Sequence, residues 1–112
     1  MKVLVVDPMK LPYEREMGSD LKSMQKVVGG YIQAIYPFED EELALICNEE
    51  GKLIGLPFNR VLRDENGIIY DVVVGTFFLC RAPMDSDRFA SLTDEQIDFC
   101  KTKFGKIEMF FN

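Results

Sequence analysis

The sequence predicts an α+β fold: a mixed, mainly antiparallel sheet with one or two helices packed on one face, in a single compact domain over residues 1–112. Three observations carry that prediction. In Leu21 to Phe38, LKSMQKVVGGYIQAIYPF, a helical period stops at a double glycine and gives way to a period of two. A capping-box signature, Thr93-Asp94-Glu95-Gln96, announces a second helix near the C-terminus. Between them the chain is rich in short β-prone runs, without the regular β-α alternation of a doubly wound parallel sheet. At 112 residues and 47% hydrophobic content the chain suffices for one core, and about 65% of the unfolded surface can be buried at this size.

Taken in order, Lys2 to Asp7 (KVLVVD) reads as a buried strand stopped by Pro8. Pro12 to Met17 alternates Tyr13, Arg15 and Met17 against Glu14 and Glu16, a second strand. Ser19 or Asp20 supplies an N-cap for a helix whose face is Leu21, Met24, Gln25 and Val28. Gly29 and Gly30 stand where a left-handed C-terminal cap belongs. Tyr31 to Phe38 then runs as a strand, with Ile32 and Ala34 on one side and Tyr31, Gln33 and Ile35 on the other.

Leu43 to Asn48 and Lys52 to Leu56 flank Glu49-Glu50-Gly51 and predict a hairpin. Gly55 to Gly67 is less regular and ends in a strong turn signal, Asp64-Glu65-Asn66-Gly67. Ile68 to Val74 and Thr76 to Cys80 read as buried strands, interrupted at Gly75. A polar loop covers Arg81 to Arg88. After Thr93, Ile97, Cys100 and Phe104 form one helical stripe, with Gly105 placed to end it. Lys106 to Asn112 fits a terminal strand or a tail.

Composition excludes several chemistries. With no histidine, Ser-His-Asp and Cys-His catalysis and His-ligated zinc are ruled out. Cys47, Cys80 and Cys100 are scattered, without a CxxC, and two lie in apolar runs, so they read as buried inert thiols. No metal or cofactor is expected. No apolar run approaches the ~20 residues of a membrane span, and the N-terminal run is too short for a signal-peptide core, so a cytoplasmic protein is expected. Net charge is −6, and six acids between Val27 and Gly51 (Glu39, Asp40, Glu41, Glu42, Glu49, Glu50) have no basic neighbour. Such a surface repels phosphates, which disfavours nucleic-acid binding. It is either a solvated turn or a mimic of a phosphate backbone.

Three places could carry chemistry. Gly29-Gly30, with Tyr31, resembles a phosphate-cradling turn only superficially, because it lies at a helix C-terminus where the dipole is negative. Phe58-Asn59-Arg60 offers an arginine beside an amide and an aromatic, suited to a carboxylate, a phosphate or a base edge. The plainer reading pairs Arg60 with Asp64 or Asp71 and lets Phe58 pack. Asp71 and Thr76, near strand ends, supply a carboxylate and a hydroxyl. Nothing singles out a catalytic pair among the 19 acids.

KVLVVDP, PYER, LKSMQKVVGGYIQAIYPF, ICNEEGKLIGLPFNR, LRDENGIIYDVVVGTFF and SLTDEQID occur in that order over most of the chain. With these segments it resembles the phage and mobile-element proteins grouped as domain of unknown function 3846. The resemblance implies an accessory protein of a phage, a conjugative element or a bacterium carrying one. It implies no catalytic residue set, and it directs attention to Gly29, Gly30, Tyr31, Asn59, Arg60, Gly75, Thr76 and Phe77. The combined expectation is a non-enzymatic binding module engaging a host protein or a small anionic ligand, able to dimerise through an unpaired strand edge. The alternatives are an acidic nucleic-acid mimic that inhibits a nuclease or restriction-type enzyme, and a histidine-independent enzyme.

Overall fold

A computed structural model describes residues 1–39 and 41–110. Among the described residues, seven strands and two helices follow one another as β1 (Lys2–Val6), β2 (Tyr13–Glu16), α1 (Leu21–Val28), β3 (Ile32–Ile35), β4 (Leu43–Asn48), β5 (Phe58–Arg63), β6 (Ile69–Val74), β7 (Phe77–Arg81) and α2 (Asp94–Phe104). Five strands form one sheet in the order β2-β1-β7-β4-β3, and β5 and β6 form a separate two-stranded sheet. Every ladder is antiparallel. The α+β class and the antiparallel character expected from the sequence are therefore what the chain adopts.

The central strands β1, β4 and β7 are buried on both faces, which explains their nearly continuous apolar sequences. Their alternation divides the core in two. Leu4, Val6, Leu43, Leu45, Phe77 and Leu79 point to one side, where Ile97, Cys100 and Phe104 of α2 join Leu62 and Val73 of the β5–β6 hairpin. Val3, Val5, Ala44, Ile46, Phe78 and Cys80 point to the other, against Met24 and Val28 of α1. The two helices thus cover opposite faces instead of sharing one. A sheet apolar on both faces needs a cover on each, and one short helix cannot supply both.

Local signals act as the sequence predicts at both helices. Asp20 Oδ2 accepts from Ser23 N (3.2 Å), and Gly29 ends α1 at φ 79° with its N–H on Gln25 O (2.8 Å). The Ser23 hydroxyl and amide hold the Asp20 carboxyl below the usual carboxylate range. In α2 the capping box is closed in both directions, Gln96 N to Thr93 Oγ1 and Thr93 N to Gln96 Oε1, each 3.1 Å. Gly105 ends α2 in a right-handed conformation.

One hairpin is corrected. Lys52 to Leu56 forms no strand: Ile54 N bonds Glu50 O and Leu56 N bonds Gly51 O, winding the segment into helix-like turns that leave Leu53 87% exposed. The strand lies further on, at Phe58–Arg63, and its partner is β6 rather than β4. The predicted strand from Tyr31 to Phe38 is likewise shorter, Ile32–Ile35, because the proline at 37 ends the ladder.

Candidate functional site

The most concentrated buried polar group in the fold is Asn59-Arg60. In β5 the register steps from Phe58↔Val74 to Arg60↔Val73, so Asn59 is the extra residue of a β-bulge. A regular strand would send neighbours to opposite faces, but the bulge turns both Asn59 and Arg60 inward. Asn59 is 0% and Arg60 1% exposed. Asn59 Nδ2 donates to Val6 O and to Gly75 O, both 2.8 Å, tying the small sheet to the end of β1 and the start of β7. Its Oδ1 accepts from Arg60 Nη1 at 2.8 Å.

Arg60 spends its remaining donors on backbone carbonyls. Nε donates to Phe104 O (3.1 Å), Nη1 to Asn59 O (3.2 Å) and Nη2 to Lys10 O (2.6 Å). The guanidinium therefore links β5 to the last residue of α2 and to the β1–β2 loop. Burial lowers its pKa, while Glu108 acts in the other direction. Neither acid considered as its partner reaches it. Asp64 Oδ1 accepts from Asn66 N and Ile68 N within its own turn, and Asp71 Oδ1 takes Lys52 Nζ at 2.6 Å. Phe58 lies outside this cluster, half exposed and edge-on to Phe110 at 5.3 Å.

Asp71 and Thr76 are not brought together. The Lys52 ammonium lowers the Asp71 pKa, and Thr76 Oγ1 donates to Asp7 Oδ1 (2.6 Å) at the far end of the main sheet. Near that pair, partial burial and the Asp7 carboxylate raise the Tyr13 pKa. Cys47 and Cys80 are buried, as their apolar runs foretold, and Cys100 is buried as well. Burial pushes Cys80 and Cys100 up to about 12 and raises Cys47 as well. Among the described residues, no group of three or more Cys, Asp or Glu is placed to hold a metal ion.

Gly29, Gly30 and Tyr31 do meet at an open hollow. A depression of about 300 Å³ is lined by Gln25, Gly29, Gly30, Tyr31, Asn48, Glu50 and Ile54. Asn48 forms its floor: Nδ2 donates to Val28 O (3.2 Å) and Oδ1 accepts from Glu50 N (2.8 Å), joining the end of β4 to the end of α1. A Cβ on Gly30 would come within 2.8 Å of Asn48 Nδ2, so glycine there permits the close approach. Tyr31, 65% exposed, and the half-exposed Ile54 form the apolar rim. The sequence reading did not identify Asn48 or Ile54. Asn48 closing an apolar strand was the available signal; Ile54 had none, because its segment read as a strand.

The acidic residues separate into two groups. Glu39, Glu41 and Glu42 follow β3, whereas Glu49 and Glu50 follow β4, about 20 Å away along a six-residue strand. Asp40 lies outside the described residues. Glu42 Oε2 accepts from Met84 N (3.1 Å), and Gln96 Nε2 donates to Glu41 O (2.9 Å), so the first group also anchors its own loop. Beside it runs a groove of about 540 Å³ lined by Phe38, Glu39, Glu41, Glu65 and Phe99 with Arg63 and Lys103. The described acids thus belong to two loops at opposite ends of β4. Among the described residues, no helix is long and apolar enough to cross a membrane.

No curated protein and no solved structure matches the chain. The family model described as domain of unknown function (DUF3846) matches residues 1–105, and the chain belongs to that family.

Proposed function

We propose that the protein is a non-enzymatic accessory protein of a phage or mobile genetic element, acting in the cytoplasm by binding a host protein. The observation that carries this reading is the depression at the end of α1. It is open and rimmed by Tyr31 and Ile54, the latter from the same turn as the almost fully exposed Leu53, which lines a separate depression. Apolar side chains grouped at a concave surface, with aromatics prominent, are what a protein partner buries. A small anionic ligand fits less well. The cation such a ligand needs, Arg60, is committed to carbonyls inside the fold, and Glu50 and the negative end of the α1 dipole face the depression.

Capture from a host lysate with tagged protein tests the reading, comparing the natural chain with Ile54→Glu. Ile54 is exposed enough for the variant to fold, so its melting temperature should stay within a few degrees. A host protein retained in near-stoichiometric amount by the natural chain should be lost with the variant. Equal recovery by both proteins, or no retained protein at all, refutes the reading.

A further inference from the structure

We infer that β3 is a dimerisation edge, pairing antiparallel with β3 of a second copy of this chain. The two edges of the main sheet are treated very differently. At one edge β2 reads Tyr-Glu-Arg-Glu, and Glu14 is engaged by Lys101 (3.1 Å) and Lys2 (4.0 Å). Charged side chains of this kind blunt an edge against strand addition. At the other edge β3 reads Ile-Gln-Ala-Ile between Tyr31 and Tyr36, with no charge from Gly29 to Phe38.

Which backbone groups are free follows from the ladder. Glu49 N donates to Tyr31 O (2.8 Å), and β3 pairs with β4 as Gln33↔Cys47 and Ile35↔Leu45 in the same register. Bonded pairs alternate along an antiparallel ladder, so Tyr31, Gln33 and Ile35 turn their N–H and C=O toward β4. Ile32, Ala34 and Tyr36 turn theirs outward. Among the described residues, no backbone N–H or C=O of Ile32 or Ala34 bonds a turn, loop or cap.

This edge complements itself. With a two-fold axis through Ala34 and perpendicular to the sheet, Ala34 faces Ala34 of the second copy, and Ile32 and Tyr36 face each other twice. Ile32 and Ala34 are outward-bonding residues of β3 that pack on the α1 side of the sheet, and Tyr36, one residue beyond the strand, follows the same alternation, so the pairing would continue both ladder and faces. Ile32–Tyr36 is an aromatic–β-branched pair of the kind that stabilises antiparallel neighbours. Such a contact is isologous and closes at two copies, whereas β3 on β2 would propagate, and the β2 charges oppose that. The strand is neutral, but Glu39 lies beyond one end and Glu49 and Glu50 beside the other. Antiparallel pairing brings these acids toward one another, so the dimer should strengthen with added salt.

Sedimentation velocity over a concentration series, at low and high salt, tests the inference. The natural chain should approach twice its 12.9 kDa mass at high concentration, with a dissociation constant that falls as salt rises. Tyr36→Lys changes an exposed side chain at the edge and should weaken the dimer at least about tenfold without altering the circular dichroism spectrum. Ala34→Pro removes one outward donor while sparing the bonds to β4, and should act in the same direction. Hydrogen exchange should show concentration-dependent protection at the Ile32 and Ala34 amides. A 12.9 kDa species at every concentration, a dimer that both variants leave intact, or one that salt dissociates would overturn the inference. Ile54→Glu should dimerise normally, so loss of the host partner and loss of the dimer are separable results.

Discussion

Replacing Arg60 by methionine distinguishes an internal clamp from a ligand-binding arginine. The side chain makes four hydrogen bonds, three to backbone carbonyls and one to Asn59 Oδ1. Methionine fills much of the volume but donates nothing, so Phe104 O and Lys10 O lose the guanidinium and Asn59 loses its acceptor bond. Hydrogen bonds to a charged group contribute about 1.5–3 kcal/mol each, and an orphaned buried acceptor costs about 1–3 kcal/mol. Relief of the desolvation that lowers the Arg60 pKa opposes this loss. Apolar replacement of a buried ion pair can be neutral when both partners are exchanged, but here the acceptors are mostly main chain and remain. A net destabilisation of about 3–5 kcal/mol follows.

That loss is a large fraction of the ~5–15 kcal/mol total stability of a domain. With a urea m-value of about 1–1.5 kcal/mol/M, the midpoint should fall by roughly 2–5 M. Arg60→Lys should recover little, since one ammonium cannot span acceptors on α2, β5 and the β1–β2 loop. In a double-mutant cycle with Asn59→Ala, the Nη1–Oδ1 bond predicts a coupling of about 0.5–3 kcal/mol. A change below about 0.5 kcal/mol for Arg60→Met, typical of a surface site, would refute the clamp and return Arg60 to solvent or ligand.

The cap reading predicts that Gly29→Ala costs about 1 kcal/mol in urea titrations, because φ 79° disfavours a Cβ although the space is open. Gly30→Ala should cost stability by a different route, displacing Asn48, and Asn48→Ala should remove most of that added cost. Cys80 and Cys100, with pKa pushed to about 12, should be inert to a thiol reagent at pH 8 until the chain unfolds. Rapid native labelling of either would show a thiol the fold does not bury. The depressed Asp71 pKa means its pairing with Lys52 contributes stability above the unfolded value of 3.8, lost as pH falls through the lower folded value. The pair is largely solvent-exposed, so Lys52→Ala should remove under about 1 kcal/mol at pH 7 and flatten the acid limb.

Local chemistry made most of the fold legible. The N-cap at Asp20, the left-handed Gly29 and the Thr93–Gln96 box each act within four residues, so sequence spacing alone expresses them. The continuous apolar runs of β1, β4 and β7 signalled double-sided burial, though not which helix would cover which face. That division depends on a cluster that gathers Leu62, Val73 and Phe104 from segments distant in the chain. Lys52–Leu56 misled because its apolar residues suggested a buried strand, whereas Leu53 and Ile54 point into solvent.

The candidate site was legible in its residues but not in their roles. Asn59 and Arg60 stood out as polar residues inside an apolar stretch, and nothing in their spacing revealed the bulge that turns both inward. Once inward, an arginine needs acceptors, and besides Asn59 it finds the carbonyl that α2 leaves at Phe104 and that of Lys10 in the β1–β2 loop. The residue with the strongest look of a binding site is consumed by holding β5, the end of α2 and the β1–β2 loop together. Under the proposed reading, surface function passes to two other places: the apolar rim at Tyr31 and Ile54, and the uncharged edge strand β3, whose counterpart at the opposite edge, β2, carries Glu14, Arg15 and Glu16. Gly29-Gly30-Tyr31 spans both, ending α1, lining the depression and opening β3. A substitution there alters fold, hollow and edge together, which is why Ile54 and Tyr36, outside that junction, are the residues that can separate them.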